Sequence, residues 1–271
     1  MLGAIIGDIC GSIYEFNNCK DYDSIDLFSE RSIFTDDTVM TIAVAHALMD
    51  MRSGETEDFY DAESAVTELV KHSMLYYGRL FPGAGYGSKF MKWLSLRTPE
   101  PYNSYGNGSG MRVSSVGWLA NDLDSVMRMA ERTALPTHNH RDGMIGASVI
   151  EGCILLARQH VDKSFIHNFA ASYYDMSFSL DEIRPTYHFD ETCQGSVPQA
   201  IKAFLESKDF EDCLRLAISI GGDSDTIACM AGGIAEAYYG GVPAEFLSLA
   251  KDRLPECLWS QVERFLDITK V

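Results

Sequence analysis

Two short segments gather carboxylates and hydroxyls where a helix would begin. In FTDDTVMTIAVA, Thr35, Asp36, Asp37 and Thr38 stand just before an apolar run. In ISIGGDSDTIACMAGGIAEAYYG, Asp223, Asp225 and Thr226 do the same. Side-chain oxygens at a helix start cap free N–H groups and meet the positive end of the helix dipole. One cap needs one side chain, however, and each cluster offers at least three. Adjacent carboxylates repel, so the surplus is a cost unless a cation offsets it. The donors are all hard oxygens, with no His or Cys among them, which suits Mg²⁺, Mn²⁺ or Ca²⁺ rather than Zn²⁺. If the motifs meet, four carboxylates exceed what one ion needs, and a two-ion site follows. Capping and metal binding both account for the spacing, and nothing in the spacing shows that the motifs meet.

The elements that must carry these residues are helical. After Thr38 the positions Val39, Ile42, Ala43, Ala45, Leu48 and Met49 follow a 3.6-residue period, with apolar residues on most sides, as in a central helix. Further helical patterns fall at 60–77, 112–122, 124–133, 143–160, 163–175, 196–207, 210–220, 226–239, 243–252 and 257–268. Two-residue alternation is nearly absent. The expected fold is all-α and multi-helical, one domain over residues 1–271. The longest irregular stretch runs from 81 to 110 and contains FPGAGYG and RTPEPYNSYGNGSG; long loops of this kind are usually functional.

Composition narrows the function classes. With 46% hydrophobic and 23% charged residues, the chain is neither disordered nor fibrous. A net charge of −17 opposes nonspecific binding of nucleic acid or an anionic membrane. The seven cysteines form no C-x-x-C pair and read as reduced, mostly buried residues of a cytoplasmic protein. The start of the chain is a poor signal peptide and no apolar run is long enough to span a membrane. There is no G-x-x-x-x-G-K-[ST] loop, no G-x-G-x-x-G, no H-E-x-x-H and no His-Asp dipeptide.

Five segments taken in order resemble the ADP-ribosylglycohydrolase family: GAIIGDICGSIYEF at 3–16, FTDDT at 34–38, SYGNGSGMR at 104–112, THNH at 137–140 and GGDSDT at 221–226. The resemblance implies an all-α, monomeric hydrolase with two divalent cations, Mg²⁺ or Mn²⁺. It implies metal ligands at Thr35, Asp36, Asp37, Asp223, Asp225 and Thr226. It assigns Glu15 to the metal centre or a mobile flap, and Ser104, Tyr105, Gly106, Asn107 and Gly108 to the pyrophosphate and distal ribose of ADP-ribose. His138 is placed near the diphosphate. The implied reaction is cleavage of the bond between ADP-ribose C1″ and a leaving group, with Glu15 and Asp37 as the candidate catalytic carboxylates. The leaving group, whether Arg, Ser or acetyl, has no signature.

Read without the family, these residues carry less. The glycines of GNGSG free the backbone to meet phosphate oxygens, or simply make a surface turn. No Lys or Arg lies between Arg97 and Arg112, so the loop is expected to bind the diphosphate through backbone N–H groups. Glu15 passes for a solvated loop residue and His138 for a capping histidine. Asp8 reads as a helix cap or a support for a ligand. Tyr14, Phe34, Tyr102 and Tyr105 are candidates to pack on adenine or ribose, or in the core, with Tyr105 foremost because it lies inside the loop motif. Two other functions stay open. One is hydrolysis of a free metabolite such as O-acetyl-ADP-ribose. The other is a non-catalytic metal-binding or structural role, against which the intact ligand set argues.

Overall fold

The structure, a computed structural model, describes residues 1–53 and 63–269. The described residues are helical without a named strand. In chain order they form α1 (Leu2–Gly11), α2 (Asp36–Ser53), α3 (Glu63–Leu80), α4 (Ser88–Ser95), α5 (Gly108–Met111), α6 (Val116–Leu119), α7 (Leu123–Ala134) and α8 (Arg141–Arg158). There follow α9 (Lys163–Ala171), α10 (Leu180–Ile183), α11 (Cys193–Glu206), α12 (Phe210–Ser219), α13 (Ser224–Tyr239), α14 (Ala244–Arg253) and α15 (Glu256–Thr269). The all-α expectation holds. The part of the expected 60–77 helix at 60–62 lies outside the described residues.

The centre of the molecule is a pair of helices, α1 and α13, and α1 was not expected as a helix. Its sequence LGAIIGDICG carries three internal or terminal glycines, each costing about 1 kcal/mol of helix propensity. The glycines repeat every fourth residue and so lie along one face. That face touches α13 backbone to backbone. A Cβ on Gly7 would lie 2.0 Å from the Ala228 carbonyl oxygen, and one on Gly3 would lie 2.3 Å from that of Gly232. At Gly11 it would lie 2.4 Å from Asp225 Cα. All ten residues of α1 are buried. Glu236 of α13 accepts from the Gly3 N–H at 2.8 Å and from the Met1 amino group at 2.6 Å, which fixes the register of the pair.

α2 is the buried helix, apolar on most sides, that its pattern predicted, with Val39, Ile42, Ala43 and Leu48 in the core. Within the 81–110 stretch two short helices interrupt the expected loop. α4 turns Trp93 and Leu94 inward, and α5 begins at Gly108. Five cysteines are buried and all seven are free thiols. Among the described residues no helix is long and apolar enough to cross a membrane.

The glycine seam yields a sharp stability test. In Gly7→Ala the added methyl meets backbone, which cannot rotate away, and unfolding free energy should fall by about 3 kcal/mol or more. Gly83→Ala, whose Cβ meets nothing within 4 Å, should stay near wild type. Urea melts of the two variants check it; similar midpoints would deny the seam its importance.

Candidate metal centre and substrate cleft

The two acidic motifs meet. α2 starts at Asp36 and α13 at Ser224, and the α1–α13 seam brings Asp8 against both starts. Asp8 Oδ2 accepts from the backbone N–H groups of Thr35 at 2.9 Å and Thr38 at 3.1 Å, and from the Thr38 hydroxyl. Asp8 Oδ1 accepts from the Thr35 hydroxyl at 2.7 Å. Asp8 is thus a cap, as one reading of the sequence had it, but it caps a different helix from its own. The Thr35 hydroxyl oxygen also accepts from the Asp37 N–H at 3.3 Å. The start of α2 is therefore satisfied without the carboxylates of Asp36 and Asp37. At α13 the N-cap residue Asp223 makes no side-chain capping bond. Capping does not explain the surplus acids.

Their geometry does point to a cation. Oxygens of Asp8, Asp37 and Asp225 lie within 4.8 Å of one another, and so do oxygens of Glu15, Asp223 and Asp225, with Asp225 common to both groups. Asp37 Oδ1 is buried and has no hydrogen-bond partner, a costly state for an isolated carboxylate oxygen. Asp37 Oδ2 accepts from the Thr226 hydroxyl at 3.1 Å. Among the described residues none of these five acids pairs with a Lys or Arg. An oxygen-only donor set with an orphaned anionic atom fits a hard divalent cation. Asp36 joins neither trio; it lines the cleft beside them.

Burial and mutual repulsion raise these carboxyl pKa values. Burial, then the Asp8 charge, lifts Asp36 to about 8. Burial, then Asp223 and Asp8, lifts Glu15 to about 7. Asp37 and Asp225, wholly enclosed, are raised well above the usual carboxylate range by burial first and then by neighbouring acids.

Glu15 reaches this centre from the loop after α1, and that loop is clasped to the start of α13. Asn18 Nδ2 donates to the carbonyls of Tyr14 (2.7 Å), Glu15 (2.9 Å) and Gly222 (3.1 Å), and Asn18 Oδ1 accepts from the Gly222 N–H at 2.8 Å. Gly221 and Gly222 both sit at φ +75°, the left-handed region that favours glycine. Lys20 donates to the carbonyls of Arg184 at 2.6 Å and Tyr187 at 2.7 Å, tying in the 184–191 loop. Sequence reasoning missed Asn18 and Lys20, since polar residues in an irregular loop carry no periodic signal.

The acids form one wall of a cleft of about 320 Å³, and the 104–108 loop forms another. Asn107 joins the two walls, its Nδ2 donating to Asp223 Oδ2 at 2.6 Å. Several N–H groups of the loop are already engaged. Ser104 donates to Thr137 O, Asn107 to Glu191 O, and Gly106 to Ser104 Oγ. The positions outside these bonds are Tyr105, Gly108 and Ser109, which narrows the expected N–H cradle. His138 lies behind the loop, buried yet on the cleft lining. Tyr105 is half exposed, its ring edge-on to His140 at 5.4 Å, and Tyr102 also lines the cleft. Tyr14 and Phe34 do not: Tyr14 hydroxyl accepts from the Asp26 N–H, and Phe34 packs on Phe81. Lys89 of α4, Arg112, Glu191 and Phe189 also line the cleft and were not singled out from the sequence.

The raised pKa values set the pH behaviour of the cation-free protein. Between about pH 4 and 8 the folded chain holds protons that the unfolded chain has shed, so stability falls as pH rises through this window. Melting temperature should drop by several degrees from pH 5 to pH 8 in EDTA, recover on adding Mn²⁺ or Mg²⁺ at pH 8, and slope less in Asp37→Asn. Calorimetry checks all three; a melting temperature that climbs with pH and ignores both cations would contradict the geometry.

Comparison with known proteins agrees with this architecture. The ADP-ribosylglycohydrolase family model matches residues 1–270. The chain is 27% identical to human ADP-ribosylhydrolase ARH3, over 96% of this chain and 87% of that one. It is 26% identical to the Escherichia coli protein YegU, over 79% of this chain and 73% of that protein. A solved structure titled "ADP-ribosylglycohydrolase-related protein complex" superposes with a TM-score of 0.69 at 21% identity, covering 97% of this chain and 96% of the other, and so shares its fold. With a family match running over nearly its whole length, the chain belongs to the ADP-ribosylglycohydrolase family.

Proposed function

We propose that this protein is a divalent-cation-dependent hydrolase that cleaves the C1″ bond of ADP-ribosylated substrates and releases ADP-ribose. The observation that carries the reading is the placement of Glu15, Asp37, Asp223 and Asp225, the cleft-facing members of two carboxylate trios that share Asp225, on the lining of a cleft that the SYGNG loop also lines. Relatives named as ADP-ribosylhydrolases support the reaction class.

Asp37, Asp223 and Asp225, with Glu15, are the residues that would hold two cations, Mg²⁺ or Mn²⁺. Thr35, Thr226 and Asp36 stand beside them, the two threonines with hydroxyls directed at carboxylates. The chemistry supplied by divalent cations in such a site is Lewis-acid polarisation of substrate oxygens. The chain's own part is proton handling and orientation. In the reaction the C1″–leaving-group bond breaks, a water oxygen bonds to C1″, and one water proton ends on the leaving group. Positive charge grows on the ribose as the bond stretches, and nearby carboxylates would stabilise it. Glu15 stands at the cleft edge with a pKa near neutrality, which suits a group that takes a proton from water or gives one to the leaving group. Asp37, buried and bonded to Thr226, suits binding better than proton transfer. Ser104 to Gly108 and His138 form the wall suited to the diphosphate and distal ribose, and Tyr105 offers its face to adenine.

Three measurements test the reading. Incubation with Mg²⁺ or Mn²⁺ and Arg-, Ser- and acetyl-linked ADP-ribose should liberate ADP-ribose from at least one; turnover of the acetyl ester alone would favour the free-metabolite reading. Asp225→Ala should lower kcat/KM by about 100-fold or more without lowering the melting temperature in EDTA at pH 8, because it removes a buried carboxyl whose ionisation the neighbouring acids oppose. A large loss of cation-free stability with activity retained would make Asp225 a structural residue. Gly108→Val should abolish ADP-ribose binding, since a Cβ there already lies 3.4 Å from His138 Cε1; unchanged binding by calorimetry would move the ligand elsewhere.

A further inference from the structure

Arg112 is an unusual residue for its position. It is 1% exposed, and burial lowers its pKa to about 10, yet it meets no carboxylate. Its guanidinium donates only to neutral acceptors: Nη1 to Gly108 O at 2.9 Å, and Nη2 to Thr133 O and Ala134 O at 3.3 Å and to Thr137 Oγ1 at 3.0 Å. A buried cation without a counter-charge is expensive. Its contacts converge on the two segments that make the ligand wall, the 104–108 loop and Thr137–His138.

The direction of each proton in this chain follows from the groups at its ends. Arginine can only donate and a carbonyl can only accept. The Thr137 oxygen receives a proton from Arg112, and it lies 2.7 Å from His138 Nδ1. Among the described residues His138 Nδ1 is the acceptor within reach of the Thr137 hydroxyl proton. Nδ1 therefore carries a lone pair, and the ring proton sits on Nε2. The Nε2 edge faces the loop. Cβ atoms built on Gly106 and Gly108 would lie 3.7 and 3.5 Å from Nε2. The ring stays neutral, because burial and the Arg112 charge hold its pKa well below the usual histidine range.

We propose that Arg112 is a positioning residue which, through Thr137, fixes His138 as its Nε2–H tautomer and, through Gly108, holds the 104–108 loop in the shape that receives the diphosphate of ADP-ribose. The proposal rests on the ADP-ribose reading for the ligand, but not for the tautomer. The relay supplies a fixed N–H donor behind the loop without presenting a mobile charge to the cleft. Arg112 also lines the cleft but is buried, with its Nη groups donating to protein acceptors, whereas Lys89 is an exposed basic side chain there.

Thr137→Val is the direct test, since it removes the hydroxyl at nearly constant volume and leaves Arg112 its carbonyl partners. Nitrogen-15 spectra of the histidine rings in the full-length protein should show His138 as Nε2–H in wild type. In Thr137→Val the ring should become a tautomer mixture or Nδ1–H, and Thr137→Ser should restore it. ADP-ribose affinity by calorimetry, with Mg²⁺ present, should fall about tenfold in Thr137→Val and return in Thr137→Ser, with KM rising and kcat kept. A wild-type Nδ1–H ring, or a Thr137→Val protein with unchanged tautomer and affinity, overturns the relay. If wild type shows the predicted tautomer and its loss in Thr137→Val but binds no ADP-ribose, the relay's tautomer control stands and the ligand assignment fails.

Discussion

Backbone contact between α1 and α13 is the constraint on which the rest of the structure depends. Helices usually pack through side chains at axis separations of about 8–10 Å. Here glycines at every fourth position of α1 remove the side chains, and carbonyl oxygens of α13 occupy the space where Cβ atoms would be. The approach sets Asp8 beside the start of α2 and Gly11 against Asp225 Cα. Asp8 then does for α2 what a local cap would do, so the orientation of α2, and of Asp36 and Asp37 at its tip, is dictated from α1. A helix of low intrinsic propensity thereby becomes the reference frame for the acids. Its propensity cost is offset by complete burial.

The electrostatics follow from that frame. Five carboxylates crowd into a few ångströms, most of them enclosed, with no cationic side chain paired to them. Hydroxyls of Thr35, Thr38 and Thr226 and the amide of Asn107 answer some of the oxygens, and one oxygen of Asp37 is left without a partner. The one buried guanidinium nearby is directed to carbonyls on the opposite wall. The chain keeps its fixed positive charge away from the acids, and this leaves their negative charge available to a cation.

Much of this was legible in the sequence, and the exceptions have physical causes. The period after Thr38 marked α2 because its apolar side chains form the signal. α1 escaped because glycine breaks the propensity pattern while serving the packing. The donor chemistry of TDDT and DSDT was readable. Their meeting was not, since contact between them is decided by a seam that neither motif contains. That Thr35 and Asp8 cap the start of α2 was likewise not readable from the spacing. Tyr105 and Tyr102 line the cleft and Tyr14 and Phe34 do not, a division that residue type alone does not make. Arg112 closes the SYGNGSGMR segment, and a lone arginine in apolar company was the available clue to a buried role.

The seam also sets an order of events in the making of the protein. α1 leaves the ribosome long before its partner: the Gly3–Glu236 bond spans 233 residues. At ordinary synthesis rates of about 5–20 residues per second the gap is about 12 to 47 seconds. Throughout it an apolar, glycine-weakened segment has no surface to rest on, and contacts of such long sequence separation form slowly. The acids of the centre stay dispersed until α13 arrives, so the acidic wall of the cleft is incomplete on a partial chain. Changes along the seam will therefore be felt in how much folded protein a cell obtains, through chaperone demand and degradation, more than in the turnover of the molecules that reach the native state.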